Sequence, residues 1–244
     1  MSPIENYNVY TNGMKKALYD KLFFVDKINP SMIVDFGCAD GTLMRETREY
    51  FPDIPIIGVD NDAQMRESVK GFEVLSDLSE VEPEKGSALI LSSVLHELYS
   101  YSSFQDIVNF WEYADEFDYI VIRDMAISDN SALTVVPEGE PELLRNLYPE
   151  QAKDFEKIWG SLAVTKNFLH FLLKYKYTEN WKRELHEDYL INTSERIQSQ
   201  VNNKSIVYKE HCVLPYLKDT WGKEFGVNVK TPTHLKLIVK NEVS

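Results

Sequence analysis

Apolar positions along the chain fall into short runs separated by polar stretches of helical period. Residues 13–28 place Met14, Ala17, Leu18, Leu22, Val25 and Ile28 on one face of an amphipathic helix, and Asn29-Pro30 ends it. MIVDFG (32–37) is a short buried strand. Thr42 to Tyr50 reads as a helix leaving the next turn, and Phe51-Pro52 stops it. IPIIGVD (54–60) is a second strand, and residues 62–70 form a short helix. FEVLSDL (72–78) is a third strand and SALILSSVL (87–95) a fourth. Residues 102–116 are helical in pattern, with Phe104, Ile107, Val108 and Trp111 on one face. DYIVIRDMAI (118–127) is a fifth strand.

Strands alternating with helices predict an α/β fold: a mostly parallel sheet with helices on both faces. After residue 127 the alternation stops. Residues 128–150 read as a loop with Pro137, Gly139, Pro141 and Pro149, and residues 150–200 read as helical. Strand character returns at SIVYKEHCVLP (205–215) and THLKLIVK (233–240). Because the β pattern returns, 128–200 reads as a mainly helical insertion or substrate cap on a single domain spanning 1–244.

The first strand runs into Gly37-Cys38-Ala39-Asp40-Gly41, and acidic Asp60, with Asn61 after it, closes the second strand nineteen residues past Gly41. Glycines at 37 and 41 let backbone approach a ligand closely. A strand, a tight turn, a helix and an acidic residue at this distance are arranged to hold an adenosine-bearing ligand. Ala39 narrows the turn where a dinucleotide fingerprint has glycine, which disfavours a pyrophosphate and admits a smaller amino-acid moiety. Asp35 can accept from an ammonium group, and Asp60 from vicinal ribose hydroxyls.

DFGCADG, with IIGVD downstream, resembles motif I and its acidic successor in class I S-adenosylmethionine-dependent methyltransferases. The resemblance covers about residues 10–127, and more loosely 205–240. It implies a Rossmann-like sheet of seven strands with the last antiparallel, and S-adenosylmethionine as cofactor with S-adenosylhomocysteine as product. It places Asp35, Gly37 and Gly41 around the methionine part of the cofactor and Asp60 at the ribose, with Cys38, Ala39 and Asn61 as further cofactor-binding positions. Asp77 matches the position that meets the adenine amine, with Leu78 against the ring, and Ser92 and Ser93 end the fourth strand beneath the methyl group. For Asp77 a helix N-cap or a solvent loop is the other reading, and for the serines a plain strand end. SSVLH stands where amino-methylating relatives carry an Asn-Pro-Pro-Tyr type of motif.

His96 comes just after the fourth strand at the sheet's carboxyl edge. It is a candidate general base toward a substrate hydroxyl or amine, or else a helix cap or part of the cofactor floor. Arg123 and Asp124 end the fifth strand at the same edge, as substrate-orienting groups or a structural pair, with Asp124 a second catalytic candidate. An upstream segment closing over the cofactor makes Tyr10, Met14 and Lys15 further candidates.

Composition narrows the picture. The 244 residues are 43% hydrophobic and 12% aromatic, as in an ordinary globular chain and not a disordered one. Cys38 and Cys212 make no disulfide framework and suit a reducing compartment, so a cytoplasmic protein is expected. The polar start, MSPIENYNVYTNG, has no signal-peptide pattern, and no apolar run approaches the roughly 18 residues of a membrane span. Histidines 170, 186, 211 and 234 show no ligand spacing, so no metal is expected.

The net charge of −13 is uneven. Residues 1–160 carry 13 Lys+Arg against 30 Asp+Glu, and residues 161–244 carry 13 against 9. The acidic balance favours a small-molecule substrate over nucleic acid. One stretch points the other way: residues 166–185 interleave Lys166, Lys174, Lys176, Lys182 and Arg183 with Tyr175, Tyr177 and Trp181. It reads either as an RNA-stacking surface or as a buried helix face built on Phe168, Leu169, Phe171, Leu172 and Leu173. The expected activity is methyl transfer to an O or N nucleophile of a small molecule. RNA methylation through 166–185, a degenerate cofactor-binding module without catalysis, and a nicotinamide- or nucleotide-sugar-dependent enzyme are the alternatives.

Overall fold

The computed structural model describes residues 17–242. Its strands are β1 (Ile33–Phe36), β2 (Ile56–Val59), β3 (Glu73–Leu75), β4 (Ala88–Ser92), β5 (Tyr119–Met125), β6 (Ser205–Cys212) and β7 (His234–Lys240). They form one seven-stranded sheet in the order β3-β2-β1-β4-β5-β7-β6. The pairs β1–β2, β1–β4, β2–β3 and β4–β5 are parallel. Ala126 N–H donates to Thr233 O at one end of β5, and Asn241 N–H donates to Asp118 O at the other, so β7 runs antiparallel to β5.

The early helices are α1 (Leu18–Lys21), α2 (Thr42–Tyr50), α3 (Ala63–Ser68), α4 (Leu95–Tyr101) and α5 (Phe104–Ala114). Successive strand side chains point to opposite faces. On one face Ile33, Ile90, Val121 and Ile238 gather with Leu22, Phe24 and the α2 residue Met44. On the other, the Phe36 ring centroid lies 5.0 Å from that of Phe110 in α5. Helices therefore cover both faces, as the alternating pattern predicts.

Several elements depart from the sequence reading. The helix expected over 13–28 is a single turn, α1, where described, and residues 13–16 lie outside the described chain. From Leu22 the chain turns through Val25 N–H to Leu22 O and Lys27 N–H to Phe24 O, because Leu22 and Phe24 enter the same core at a spacing of two that a helix cannot supply. The fourth strand stops at Ser92, and Leu95 instead begins α4. Ser93 adopts a left-handed φ of 60°, and the Asp124 carboxylate on β5 accepts the Leu95 N–H at 2.6 Å. A helix start satisfied from a distant strand leaves no local trace. On α5 the buried face is Phe110, Trp111 and Ala114, while Phe104 in the first turn is exposed.

The loop expected over 128–150 holds two helices, α6 (Asp129–Ala132) and α7 (Glu140–Leu147). Pro141 sits in the first turn of α7 and Pro149 opens α8 (Pro149–Trp159), where a missing N–H costs nothing. Beyond them lie α9 (Thr165–Lys174), α10 (Trp181–Glu184), α11 (Ser194–Gln200) and α12 (Pro215–Phe225). The last departs from the sequence pattern, in which Pro215 ends a strand; here Pro215 starts a helix.

The described residues cluster into two compact units, one of 17–124, 199–210 and 236–242, the other of 125–198 and 211–235. The second has its own core around Phe155, Phe168, Phe171, Tyr175, Trp221 and Phe225. Much of the 166–185 segment lies inside that unit. Lys174 is buried and donates to the carbonyl oxygens of Glu184 and Glu187, both at 2.5 Å, with its ammonium 4.8 Å from the Tyr189 ring centroid. Arg183 is buried against Glu187 at 3.4 Å, and Lys166 pairs with Asp188 at 3.1 Å. Among the described residues, no helix is long and apolar enough to cross a membrane.

Candidate functional site

Sheet order reverses between β1 and β4, and the carboxyl ends of these two strands frame a crevice of the kind in which open α/β sheets bind ligands. The turn leaving β1 is left-handed at Gly37 (φ 75°), Ala39 (φ 47°) and Gly41 (φ 72°). A Cβ at Gly37 would lie 2.6 Å from Val94 Cγ2, so glycine is required there for space as well as for φ. Gly37 N–H and Cys38 N–H donate to Val59 O at 2.8 and 3.1 Å, tying the turn to the end of β2.

Asp60 completes the tie. Its Oδ2 accepts the Ala39 N–H at 2.8 Å and its Oδ1 accepts the Asp62 N–H at 2.9 Å. Burial raises its pKa above the ordinary carboxylate value. The carboxylate expected at a ribose thus also holds the glycine turn in shape, and each oxygen keeps a further lone pair. Asn61 beside it is exposed.

A recess opens beside the turn, lined by Asp35, Gly37, Cys38, Asp40, Thr42, Leu43 and Ser92, with Leu18 and Lys21 from α1. Register explains the convergence. Asp35 pairs with Ile90 and Ser92 with Arg123, so Asp35, Ser92 and Arg123 all project from the face that carries Ile33, Ile90 and Val121. Asp35 Oδ2 and Ser92 Oγ are buried and have no hydrogen-bond partner among the described residues. Burial lifts the Asp35 pKa to about 7, against the attraction of Lys21. Burial also raises the Cys38 thiol well above its ordinary value. Its sulfur fills the space over Gly58, where a Cβ would meet Cys38 Sγ at 2.7 Å, so Cys38 is a packing thiol.

The opposite sheet face carries Asp124. Its Oδ1 meets His96 Nδ1 at 2.7 Å, its Oδ2 accepts the Leu95 N–H, and both side chains are buried. Arg123 points the other way, donating from Nε to Asp20 Oδ2 at 2.9 Å and from Nη1 to Ser93 Oγ at 2.7 Å. Adjacent in sequence, Arg123 and Asp124 therefore serve different neighbourhoods. Asp77 accepts from Ser79 N–H at 2.8 Å and from its hydroxyl at 2.6 Å, while Glu80 reaches back to the Asp77 N–H at 2.9 Å. This capping box starts the short turn Leu78–Glu80, and the Ser79 hydroxyl lowers the Asp77 pKa. Leu78 is buried.

The structure thus brings Asp35, Gly37, Cys38 and Ser92 onto one recess, ties Asp60 to Ala39, and sets Asp77 and Leu78 at a helix start beyond β3. Tyr10, Met14 and Lys15 lie outside the described residues. Asp20 and Lys21 are absent from the residues that the sequence pattern singles out. In a helical pattern both are polar positions of a covering helix, and only their place at the sheet edge marks them.

No protein-family model matches the chain, and no curated protein matches it in sequence. Solved structures match its fold, which is the Rossmann-like fold of class I S-adenosylmethionine-dependent methyltransferases. A SAM-dependent methyltransferase from Archaeoglobus fulgidus superposes with a TM-score of 0.53 at 13% identity, over 97% of this chain and 100% of its own. A mycolic acid cyclopropane synthase complexed with S-adenosylhomocysteine gives a TM-score of 0.52 at 8% identity, over 93% of this chain and 85% of its own. The mitomycin 7-O-methyltransferase gives 0.51 at 11% identity, over 96% of this chain but 57% of its own. At these identities the likeness is one of fold.

Proposed function

We propose that this protein binds S-adenosylmethionine at the carboxyl ends of β1 and β4 and transfers its methyl group to an O or N nucleophile of a small molecule. One observation carries the cofactor reading. Asp35 Oδ2 and Ser92 Oγ are buried, unpartnered polar atoms among the described residues, on a recess beside a left-handed turn that Asp60 pins. Buried polar atoms are ordinarily satisfied, and a ligand ammonium satisfies both.

When bound, the cofactor supplies an electrophilic methyl group on a sulfonium sulfur. Asp35 and Ser92 hold the amino-acid end, Gly37 and Gly41 let the turn lie close against it, and Cys38 backs the turn from within. Asp60 offers its remaining lone pairs to the ribose, with Asn61 beside it. Asp77 and Leu78 lie toward the adenine, as the resemblance implies. His96, its ring fixed by Asp124, is the group we assign to remove the proton from the acceptor hydroxyl or amine. Arg123, tethered by Asp20 and Ser93, is the group we assign to orient an anionic or polar part of the acceptor.

A small-molecule acceptor is supported by the likeness in fold to the mitomycin 7-O-methyltransferase. Within the basic–aromatic stretch Lys174, Tyr175 and Arg183 are buried, which weighs against an RNA reading, while Lys176 and Lys182 are exposed. The test is incubation with methyl-labelled S-adenosylmethionine and pools of hydroxyl- and amine-bearing metabolites, with S-adenosylhomocysteine as the readout. Product formation with one pool, lost in His96→Ala, supports the assignment. Tight cofactor binding with no product from any pool returns the binding-module reading.

A further inference from the structure

Asp20 holds α1 onto the sheet. It accepts from Arg123 Nε on β5 at 2.9 Å and from Lys236 Nζ on β7 at 2.5 Å. This double clamp, side by side on one sheet face, fixes the next residue, Lys21, at the recess. Lys21 is only 5% exposed and lines the recess with Asp35 and Ser92, whose Oδ2 and Oγ are buried without a partner among the described residues. A buried ammonium is costly unless a compensating charge faces it.

Four neighbours set its charge balance: Arg123 repels it, and Asp35, Asp124 and Asp40 attract it. Burial and Arg123 together bring its pKa down to about 8, as burial brings Asp35 up to about 7. Burial at the recess therefore disfavours the charged forms of both Lys21 and Asp35. A ligand that carries an ammonium and a carboxylate a few ångströms apart relieves both, with its cation on the aspartate and its anion on the lysine.

We propose that Lys21 is the carboxylate-recognising residue of this site, selecting the intact α-amino-acid end of S-adenosylmethionine and S-adenosylhomocysteine. This rests on the cofactor reading above. It assigns the discrimination to a residue of α1, outside the glycine turn.

The experiment is calorimetric titration of the full chain and of Lys21→Met and Lys21→Arg. Three probes are used: S-adenosylhomocysteine, its decarboxylated analogue and methylthioadenosine, which has no amino-acid end. Wild type is expected to prefer S-adenosylhomocysteine over the decarboxylated analogue by about tenfold or more. Lys21→Met binds the two within about twofold, Lys21→Arg regains part of the preference, and methylthioadenosine affinity is the same in all three proteins. Unchanged methylthioadenosine binding shows that the variant site is folded; its loss along with the others makes Lys21 a structural residue and overturns the proposal. A Lys21→Met protein that keeps the full preference, or a wild type that has none, also overturns it while leaving the cofactor reading intact. A wild type that binds none of the three probes overturns both.

Discussion

Asp60 and Ala39 lie 21 residues apart, and the Asp60 carboxylate accepts the Ala39 N–H at 2.8 Å. The end of β2 thereby dictates the shape of the turn leaving β1. Asp60→Ala frees a part-buried N–H and releases that turn. A hydrogen bond to a charged acceptor is worth about 1.5–3 kcal/mol, so urea unfolding should show a loss of that order. S-adenosylhomocysteine affinity should fall by at least about tenfold.

Ala39 holds a left-handed φ of 47°, a conformation that costs a side-chain-bearing residue roughly 1–2 kcal/mol. Ala39→Gly relieves that cost but loosens the unfolded chain by about 0.4–1 kcal/mol, leaving a net change between zero and about 1.6 kcal/mol of added stability. Ala39→Val adds β-branching to the same φ and should destabilise by more than about 2 kcal/mol. Thermal unfolding of the two variants beside wild type separates these outcomes. Equal midpoints for Gly and Val would show that backbone strain at this position is negligible.

The recess makes stability depend on pH in two windows. Asp35 rises from an ordinary 3.8 to about 7 on folding, so between about pH 4 and 7 the unfolded chain gives up a proton that the folded chain keeps. Stability contributed by protonated Asp35 is present below pH 4 and is lost as pH rises to 7. Lys21 falls from 10.5 to about 8, so between pH 8 and 10.5 the unfolded chain binds the extra proton and stability rises with pH. At about 1.4 kcal/mol per pKa unit, the Asp35 limb spans at most about 4.5 kcal/mol and the Lys21 limb at most about 3.5 kcal/mol. Urea titrations across pH should show the first limb vanish in Asp35→Asn and the second in Lys21→Met.

Cofactor binding should also release protons. A ligand ammonium beside Asp35 favours the carboxylate, so at about pH 6 a neutral Asp35 gives up its proton on binding. Calorimetry in buffers of different ionisation enthalpy should report release approaching one proton in wild type and close to none in Asp35→Asn. Net uptake in wild type would contradict the placement of the ammonium.

Asp124 joins two jobs, orienting His96 through Nδ1 and capping α4 through Leu95. His96→Ala should lower turnover by about 10²- to 10⁴-fold, the usual contribution of a general base, with cofactor affinity within about twofold of wild type. Asp124→Ala should lose turnover and also cost about 3 kcal/mol of stability, because a buried N–H is left unpaired. Full activity in a folded His96→Ala protein would assign the proton to solvent.

The sheet is legible in the sequence because each early strand is a short apolar run bounded by a turn, and α2 begins and ends within residues whose local chemistry is decisive. The glycine turn and Asp60 are visible for the same reason, since their spacing along the chain reflects a strand–turn–helix unit. Features that depend on distant partners stay hidden. The start of α4 is satisfied by Asp124, which is nearly thirty residues away, and nothing near Leu95 announces it. Prolines at 141, 149 and 215 read as breakers, yet each opens a helix, a role fixed only by the residues on its C-terminal side. Lys21 is invisible because a lysine beside apolar residues resembles any solvated helix position until Asp20 is seen clamped by Arg123 and Lys236.

One titration tests the assignment of the crevice most directly: S-adenosylhomocysteine into the wild-type chain, repeated with Asp60→Ala. Saturable binding at one site per chain, weakened about tenfold or more by the substitution, is the predicted result. No heat or thermal shift with either S-adenosylhomocysteine or S-adenosylmethionine in the folded wild-type protein would contradict it.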